Sequence, residues 1–198
     1  MTISRYIFVF FLLPLLTACP AAIIGSGAVA IDTTADRRTH GIILEDSNIE
    51  LKAFSLIQKI EGEMHTNVTS YNGHVLIVGQ VPTQAIKIKI GDSIKALANV
   101  KSITNELTIG PAISMSGRAQ DTLITSNVKA RLFKENKVSP FFVKVVTENK
   151  NVYLMGILTE NEAKEAEAIA KNISQVNQVI KLFEILPRKI NHGLSKCL

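Results

Sequence analysis

Few side chains in this sequence are of the types that carry chemistry, and their spacing limits what they can do. The nucleophilic thiols are Cys19 and Cys197. The histidines are His40, His65, His74 and His192. None of the four has metal-ligand spacing or a cysteine or carboxylate partner in a motif, so we expect solvated surface residues and no bound metal or cofactor. A glycine-rich phosphate loop, a nucleophile elbow and a paired-carboxylate motif are also missing from the sequence, which argues against an enzyme.

The segment before Cys19 indicates a role for this thiol other than catalysis. Residues 7–16 form an apolar run of ten behind Arg5, too short for a helix to cross a hydrocarbon core of about 30 Å, so the sequence predicts a signal peptide. The run ends in Leu16-Thr17-Ala18-Cys19, which resembles the lipobox of bacterial lipoproteins. We therefore expect cleavage after residue 18 and lipidation of Cys19. The alternative is an ordinary secretory signal followed by an incidental cysteine.

The lipobox resemblance also implies a location. Bacterial lipoproteins of this type carry three acyl chains, and each buried CH₂ contributes about 0.8 kcal/mol, so the attachment would be permanent. Residue 20 is Pro, not the Asp that retains lipoproteins in the inner membrane of enteric-type bacteria, so we expect an outer-membrane protein that faces the periplasm. Acylation of Cys19 would leave Cys197 without a disulfide partner in the chain, either as a solvated residue or for intermolecular pairing.

The charge of the mature chain is mildly basic. Removal of residues 1–18 leaves 21 basic and 17 acidic side chains. An excess of this size suits an anionic membrane surface as well as nucleic acid. Because an exported chain rarely meets nucleic acid, we expect no nucleic-acid partner.

An internal repeat defines the folded part of the chain. Val75-Leu-Ile-Val-Gly79 matches Val152-Tyr-Leu-Met-Gly156, and each run follows an Asn-containing turn. The repeat predicts two homologous modules, over residues 46–112 and 120–187. We assign residues 19–45 to a lipidated linker, 113–119 to a connector and 188–198 to a C-terminal tail.

Each module has the pattern of an αββαβ unit. A first helix is predicted to begin near Asp46 or Asp121, which we take as helix caps, and a β-hairpin follows. A second helix is predicted over about residues 83–98 and 160–174, and a last strand over 100–109 and 176–185. A strand that reaches its neighbour through a helix must run parallel to it, so the prediction is an α+β fold with a three-stranded mixed sheet and both helices on one face.

The first helix of the second module carries apolar residues on two sides. Its core stripe is Ile124, Val128 and Leu132. The opposite side carries Leu123, Ser126, Ala130 and Phe133, bordered by Lys129 and Lys134. The first module has Asn48, Leu51, Ser55 and Gln58 at the matching places, so the fold does not need apolar groups there. We therefore predict that this side of the helix binds anionic phospholipid; packing against the first module or the connector, or a protein partner, are the alternatives.

The doubled pattern resembles a known family. In the second copy Val-x-Leu-x-Gly lies at the end of the hairpin, a helix bearing Ala with Glu or Lys follows, and a Val-x-x-Val strand closes the unit, as in the BON domain of bacterial osmotically inducible periplasmic and nodulation proteins. The first copy has the same pattern with Ile77 in place of the Leu and Ile103 in place of the last Val. The resemblance covers residues 46–187. It implies a lipoprotein of the inner leaflet of the outer membrane that binds an anionic phospholipid, such as phosphatidylglycerol or cardiolipin, through its second BON domain. The lipid-binding helix of that family more typically has Trp where this chain has Leu123.

The resemblance further implies that the protein gathers at division sites and supports envelope integrity. Together these observations predict a lipid-binding envelope lipoprotein and no catalysis. The alternative function is a protein-interaction or chaperone-like scaffold for outer-membrane assembly or peptidoglycan remodelling, with envelope assembly or division proteins as partners.

Overall fold

A computed structural model describes residues 36–187. The predicted signal peptide, the lipidation of Cys19, most of the linker, His192, Cys197 and the tail lie outside the described residues. Within residues 36–187, no helix has both the length and the apolar character needed to cross a membrane.

The elements follow the predicted order twice. In the first module, helix α1 is His40–Ile57, strands β1 and β2 are His65–Tyr71 and His74–Val81, helix α2 is Gln84–Lys95 and strand β3 is Ser102–Ile109. In the second, helix α3 is Met115–Glu135, a 3₁₀ turn spans Pro140–Phe142, strands β4 and β5 are Val143–Glu148 and Asn151–Leu158, helix α4 is Glu160–Lys171 and strand β6 is Gln178–Ile185. The second helices are thus confirmed, although each ends three residues before its predicted limit.

Each module has a three-stranded mixed sheet, as predicted. The first sheet has the order β1-β2-β3 and the second β4-β5-β6. Hairpin strands pair antiparallel, while β2 with β3 and β5 with β6 pair parallel across the helical connection. The repeat therefore specifies the same α+β topology in both halves of the chain.

The helices begin earlier than the sequence suggested. Thr39 caps α1 and Ser114 caps α3, each with its side-chain oxygen accepting a backbone N–H of the first turn. The prediction that Asp46 and Asp121 are caps is therefore wrong. Residues 40–45, assigned to the linker, form the start of α1, and residues 115–119, assigned to the connector, form the start of α3.

Asp46 and Asp121 instead hold the hairpin turns. Asp46 is buried inside α1 and accepts hydrogen bonds from Asn72 N and Gly73 N, both at 2.8 Å, and from Ser70 Oγ at 2.6 Å. Burial by itself raises the pKa of Asp46, but these hydrogen bonds and one from Arg38 outweigh it, so the pKa lies below its ordinary value.

The second module repeats this arrangement with fewer bonds. Asp121 accepts from Asn149 N and Lys150 N, both at 2.8 Å. The two turn residues have positive φ in each hairpin, 54° and 78° in the first and 49° and 63° in the second, and the carboxylate pairs the amides that such a turn leaves unbonded. One buried aspartate per module thus ties the first helix to the hairpin.

The two modules pack sheet against sheet. One face of each sheet is covered by its own two helices, and the other faces meet in a shared apolar cluster. The buried residues of that cluster are Tyr71, Leu76, Val78, Val146, Tyr153, Met155 and Ile157. The result is a four-layer arrangement in which α1 and α2 cover one outer face and α3 and α4 cover the opposite one. Strands β2 and β5 are consequently buried on both faces.

The segment before α1 joins the two modules. Arg37 forms a two-pronged ion pair with Glu162 of α4, at 2.7 and 2.8 Å, and its guanidinium lies 4.1 Å from the ring centre of Phe142. Arg38 binds Asp46 and stacks on Tyr71 of the first module. Arg37 therefore binds the second module, while its neighbour Arg38 binds the first.

Gly79 and Gly156 lie at matching places near the ends of β2 and β5. A Cβ at Gly79 would collide with the backbone carbonyl of His65, and one at Gly156 with that of Phe142. Close approach of the neighbouring backbone therefore requires glycine at both places.

Candidate functional site

Helix α3 places the predicted core stripe inside the second module. Ile124, Val128 and Leu132 are buried and pack on β4, β5 and α4. With its N-cap at Ser114 and a left-handed Asn136 at its end, the helix runs for 21 residues and carries its remaining side chains along the outer layer.

The opposite side of α3 is open to solvent. Leu123 is 64% exposed and Phe133 is 71% exposed, and Ser126 and Ala130 between them are also exposed. Helical geometry brings these four residues onto one outward face, which we call the α3 strip. Neither Leu123 nor Phe133 is buried against the first module or the connector. Phe141, in the 3₁₀ turn after the helix, is exposed as well and was missed by the sequence analysis.

Two lysines beside the α3 strip have free charges. Lys129 and Lys134 are exposed, and neither forms a salt bridge within residues 36–187. Arg131 is paired with Glu135 at 3.3 Å, and Lys137 with Glu165 at 2.9 Å. The basic rim therefore offers two cations that no carboxylate of the described chain competes for.

Lys137 behaves as a paired surface cation. Its hydrogen bond from Nζ to Glu165 raises its pKa above the ordinary value, so it is fully protonated at neutral pH. It lies beyond the end of α3 and is held by a residue of α4. For an approaching anion it counts less than Lys129 or Lys134.

The first module has an exposed apolar strip of its own, which the sequence analysis missed. Asn48 and Gln58 are exposed polar residues, as expected at the places of Leu123 and Phe133. However, Leu44, Leu51 and Phe54 are 66%, 65% and 61% exposed and share one side of α1. Their spacing of seven and three residues was a helical signal, but residue 44 had been assigned to the linker. We call these three residues the α1 strip.

The two strips point in opposite directions. Each lies across its helix from the residues that enter the core, and the two helices belong to opposite outer layers of the four-layer arrangement. One flat surface cannot contact both strips at the same time.

Two of the described histidines are less exposed than predicted. His40 is exposed, but His65 and His74 are half-buried. His65 Nε2 lies 3.6 Å from Glu148 Oε2, and His74 Nδ1 shares a hydrogen bond with Ser102 Oγ at 2.5 Å. The prediction of a plain solvated residue is therefore wrong for His65, whereas the side chain of His74 keeps 43% exposure and stays at the surface. No group of three or more His, Cys, Asp or Glu side chains in the described range is placed to hold a metal ion.

Comparison with known proteins supports the division into two modules. The BON domain family matches residues 47–111 and, a second time, 120–187. Over 174 residues the chain is 39% identical to the outer membrane lipoprotein DolP of Haemophilus influenzae. The matched region covers 86% of this chain and 90% of that protein.

Two further relatives are more distant. The 21 kDa hemolysin of Actinobacillus pleuropneumoniae is 33% identical over 151 residues, covering 75% of this chain and 78% of its own. The osmotically-inducible protein Y of Escherichia coli is 28% identical over 144 residues, covering 70% of this chain and 72% of its own.

Proposed function

We propose that this chain, which belongs to the BON domain family and is a DolP-like BON lipoprotein, is an outer-membrane lipoprotein that binds anionic phospholipid. Lipidated at Cys19, it faces the periplasm, and its second module meets the inner leaflet through the α3 strip. Phosphatidylglycerol and cardiolipin are the lipids we expect. The protein acts by binding and not by catalysis.

The observation that carries this proposal is the exposed α3 strip with its unpaired lysines. Full burial of a Leu or Phe side chain is worth roughly 1.5–3 kcal/mol, and a basic residue near an anionic leaflet is worth about 1 kcal/mol. Leu123 and Phe133 together with Lys129 and Lys134 therefore supply an attraction of several kcal/mol to such a surface. None of these four side chains has another role in the described fold.

The lipid tether makes a weak contact sufficient. An acylated Cys19 would hold the folded modules beside the bilayer, so docking of α3 becomes an intramolecular step at a high effective concentration. A contact of a few kcal/mol then keeps the second module on the membrane while still allowing it to release.

A vesicle co-sedimentation experiment tests the proposal. The variant Leu123→Glu with Phe133→Glu should lose binding to phosphatidylglycerol vesicles, because it places two anions on the strip. The matched control is Leu51→Glu with Phe54→Glu, which makes the same change on the α1 strip and should bind like wild type. Circular dichroism checks that both variants fold. Unchanged sedimentation of the α3 variant would refute the lipid-binding assignment.

Support of envelope integrity and enrichment at the division septum belong to the same proposal. They rest on the resemblance to double-BON lipoproteins. The localisation of a fluorescent fusion of the full chain tests the septal part, and a uniform distribution around dividing cells would contradict it.

A protein-interaction or chaperone-like scaffold is the second candidate, and the α1 strip favours it. If α3 lies on the membrane, Leu44, Leu51 and Phe54 face away from it, where a protein of the envelope assembly or division machinery could cover them. A photo-crosslinking residue at Leu51 in growing cells would give a discrete protein adduct under this candidate and none if the face stays free.

A further inference from the structure

A polar groove lies where the two modules meet, beside α3. One wall is formed by Arg118, Thr122, Ser126 and Lys129 of α3, and the other side by His65 of β1 and Glu148 of β4. We call this the intermodule groove. Its volume is about 550 Å³, within the range of roughly 300–1,000 Å³ typical of small-molecule sites. Both modules contribute to it, so it exists only in the docked arrangement.

The α3 wall of the groove carries two cations without a carboxylate partner. Arg118 is half-buried, and its Nε donates to the carbonyl of Ile113 at 3.3 Å. The rest of its guanidinium, like the ammonium of Lys129, forms no salt bridge within residues 36–187. By contrast, Lys144 on the strand side is held by Glu50 at 2.8 Å. Arg118 and Lys129 are therefore the donors available to an anion.

The carboxylates of the groove are already engaged. Both oxygens of Asp121 accept backbone amides of the β4–β5 turn at 2.8 Å. Glu148 accepts from Gln80 Nε2 at 2.7 Å, with His65 3.6 Å away on its other oxygen. Burial raises the pKa of Glu148 above its ordinary value, and the charge of Asp121 adds to this, whereas the hydrogen bond from Gln80 and the charges of His65 and Arg118 oppose it. Neither carboxylate therefore pairs directly with the α3 cations.

Hydroxyl groups line the same wall and can accept hydrogen bonds. Thr122 Oγ1 donates to the carbonyl of Arg118 and Ser126 Oγ to that of Thr122, each at 2.9 Å. Because both residues line the groove and their protons are used, their oxygens are left as acceptors. A guanidinium suits a phosphate, and hydroxyl acceptors suit the O–H groups of a polyol. Lys129 lies eleven residues, about 16 Å, farther along the helix and adds positive charge to the groove.

We propose that the intermodule groove binds a phosphate ester that carries hydroxyl groups, of the glycerol phosphate class, either free or as the headgroup of a phospholipid. The lipid form rests on the proposed function. Ser126 and Lys129 belong both to the groove and to the α3 strip or its rim, so a headgroup in the groove leaves its acyl chains next to Leu123. The groove would then supply headgroup selection, while the strip supplies apolar contact.

Titration of the full chain with a soluble headgroup tests the groove. The ¹⁵N-labelled protein in neutral detergent is titrated with glycerol 1-phosphate, and glycerol alone serves as the uncharged probe. We expect saturable shifts of groove amides such as those of Thr122, Ser126 and His65 with glycerol 1-phosphate and none with glycerol. Arg118→Gln should weaken binding about tenfold, the effect of losing a charge-assisted hydrogen bond, and Arg118→Lys should weaken it less.

Matched variants separate this proposal from the proposed function. Lys137→Gln removes a cation outside the groove and should titrate like wild type. The Leu123→Glu, Phe133→Glu variant should still bind glycerol 1-phosphate although it loses vesicles. Absence of saturable groove shifts in wild type, or Arg118→Gln titrating like wild type, overturns the groove whatever the vesicles show.

The vesicle arm identifies the source of the phosphate. If the ligand is a lipid headgroup, Arg118→Gln should sediment less than wild type with phosphatidylglycerol vesicles, and wild type should itself sediment less with phosphatidylmethanol, whose headgroup has the same charge and no hydroxyl. If Arg118→Gln loses glycerol 1-phosphate but sediments like wild type with both lipids, the groove stands and its ligand is a free phosphate ester.

Discussion

Replacement of Lys129 and Lys134 by glutamine should weaken binding to anionic vesicles without changing the fold. Both ammonium groups border the α3 strip and have no salt bridge within the described residues. Each is expected to contribute about 1 kcal/mol near an anionic leaflet, and 1.4 kcal/mol corresponds to a tenfold change. The double variant should therefore bind about 30-fold more weakly at low salt.

The control is a pair of lysines that already form salt bridges. Lys171 and Lys181 both bind Glu167, at 2.8 and 2.7 Å, so Lys171→Gln with Lys181→Gln makes the same change in net charge. Co-sedimentation with phosphatidylglycerol vesicles in a phosphatidylcholine background, at low and high salt, measures both variants. The loss in the Lys129, Lys134 variant should shrink as salt screens the charges. An equal loss in the control pair would refute the local reasoning, because only net charge would then matter.

Two further predictions concern the fold. Asp46→Ala should lower the free energy of unfolding in urea by about 4 kcal/mol and Asp121→Ala by about 2 kcal/mol, because the first carboxylate accepts bonds from four groups and the second from two; equal losses would contradict this account. Hydrogen bonds from Arg37 lower the pKa of Glu162 from 4.5 to about 2, so the stability they provide is present above pH 4.5 and lost as the pH falls towards 2. The free energy of unfolding should therefore change less with pH over this range in Glu162→Gln than in wild type. Identical slopes for the two proteins would exclude the ion pair as a contributor to stability.

The topology could be predicted because it depends on local patterns repeated twice. The hairpin signals and the helical crossover specify one antiparallel and one parallel pairing in each module, and the structure has both. The outward direction of Leu123 and Phe133 followed from helical periodicity in the same way. In these features each residue acts through neighbours a few positions away.

The features that were missed depend on contacts between distant residues. Asp46 satisfies the local criteria for a helix cap, but three of its four partners lie more than twenty residues later, in the hairpin turn or at the end of β1. The packing of sheet on sheet was not predicted either. The unbroken apolar runs that begin at Val75 and Val152 were its signal, since a strand buried on both faces does not alternate.

The candidate site was predicted only in part for a similar reason. The α3 strip was predicted by comparing matching positions in the two modules. Such a comparison does not reveal the α1 strip, because the residues of that strip are unique to α1. The intermodule groove joins β1 to α3, so no single segment of sequence contains its pattern.

A single tryptophan tests the membrane contact most directly, because the chain has none of its own. Leu123→Trp places the reporter on the α3 strip, and Leu51→Trp places it at nearly the same exposure on the α1 strip. With phosphatidylglycerol vesicles, we predict a blue shift of the Leu123→Trp emission and its quenching by brominated acyl chains, with little change for Leu51→Trp. Quenching of Leu51→Trp instead, or no quenching of Leu123→Trp, would contradict the claim that α3 is the membrane-binding face.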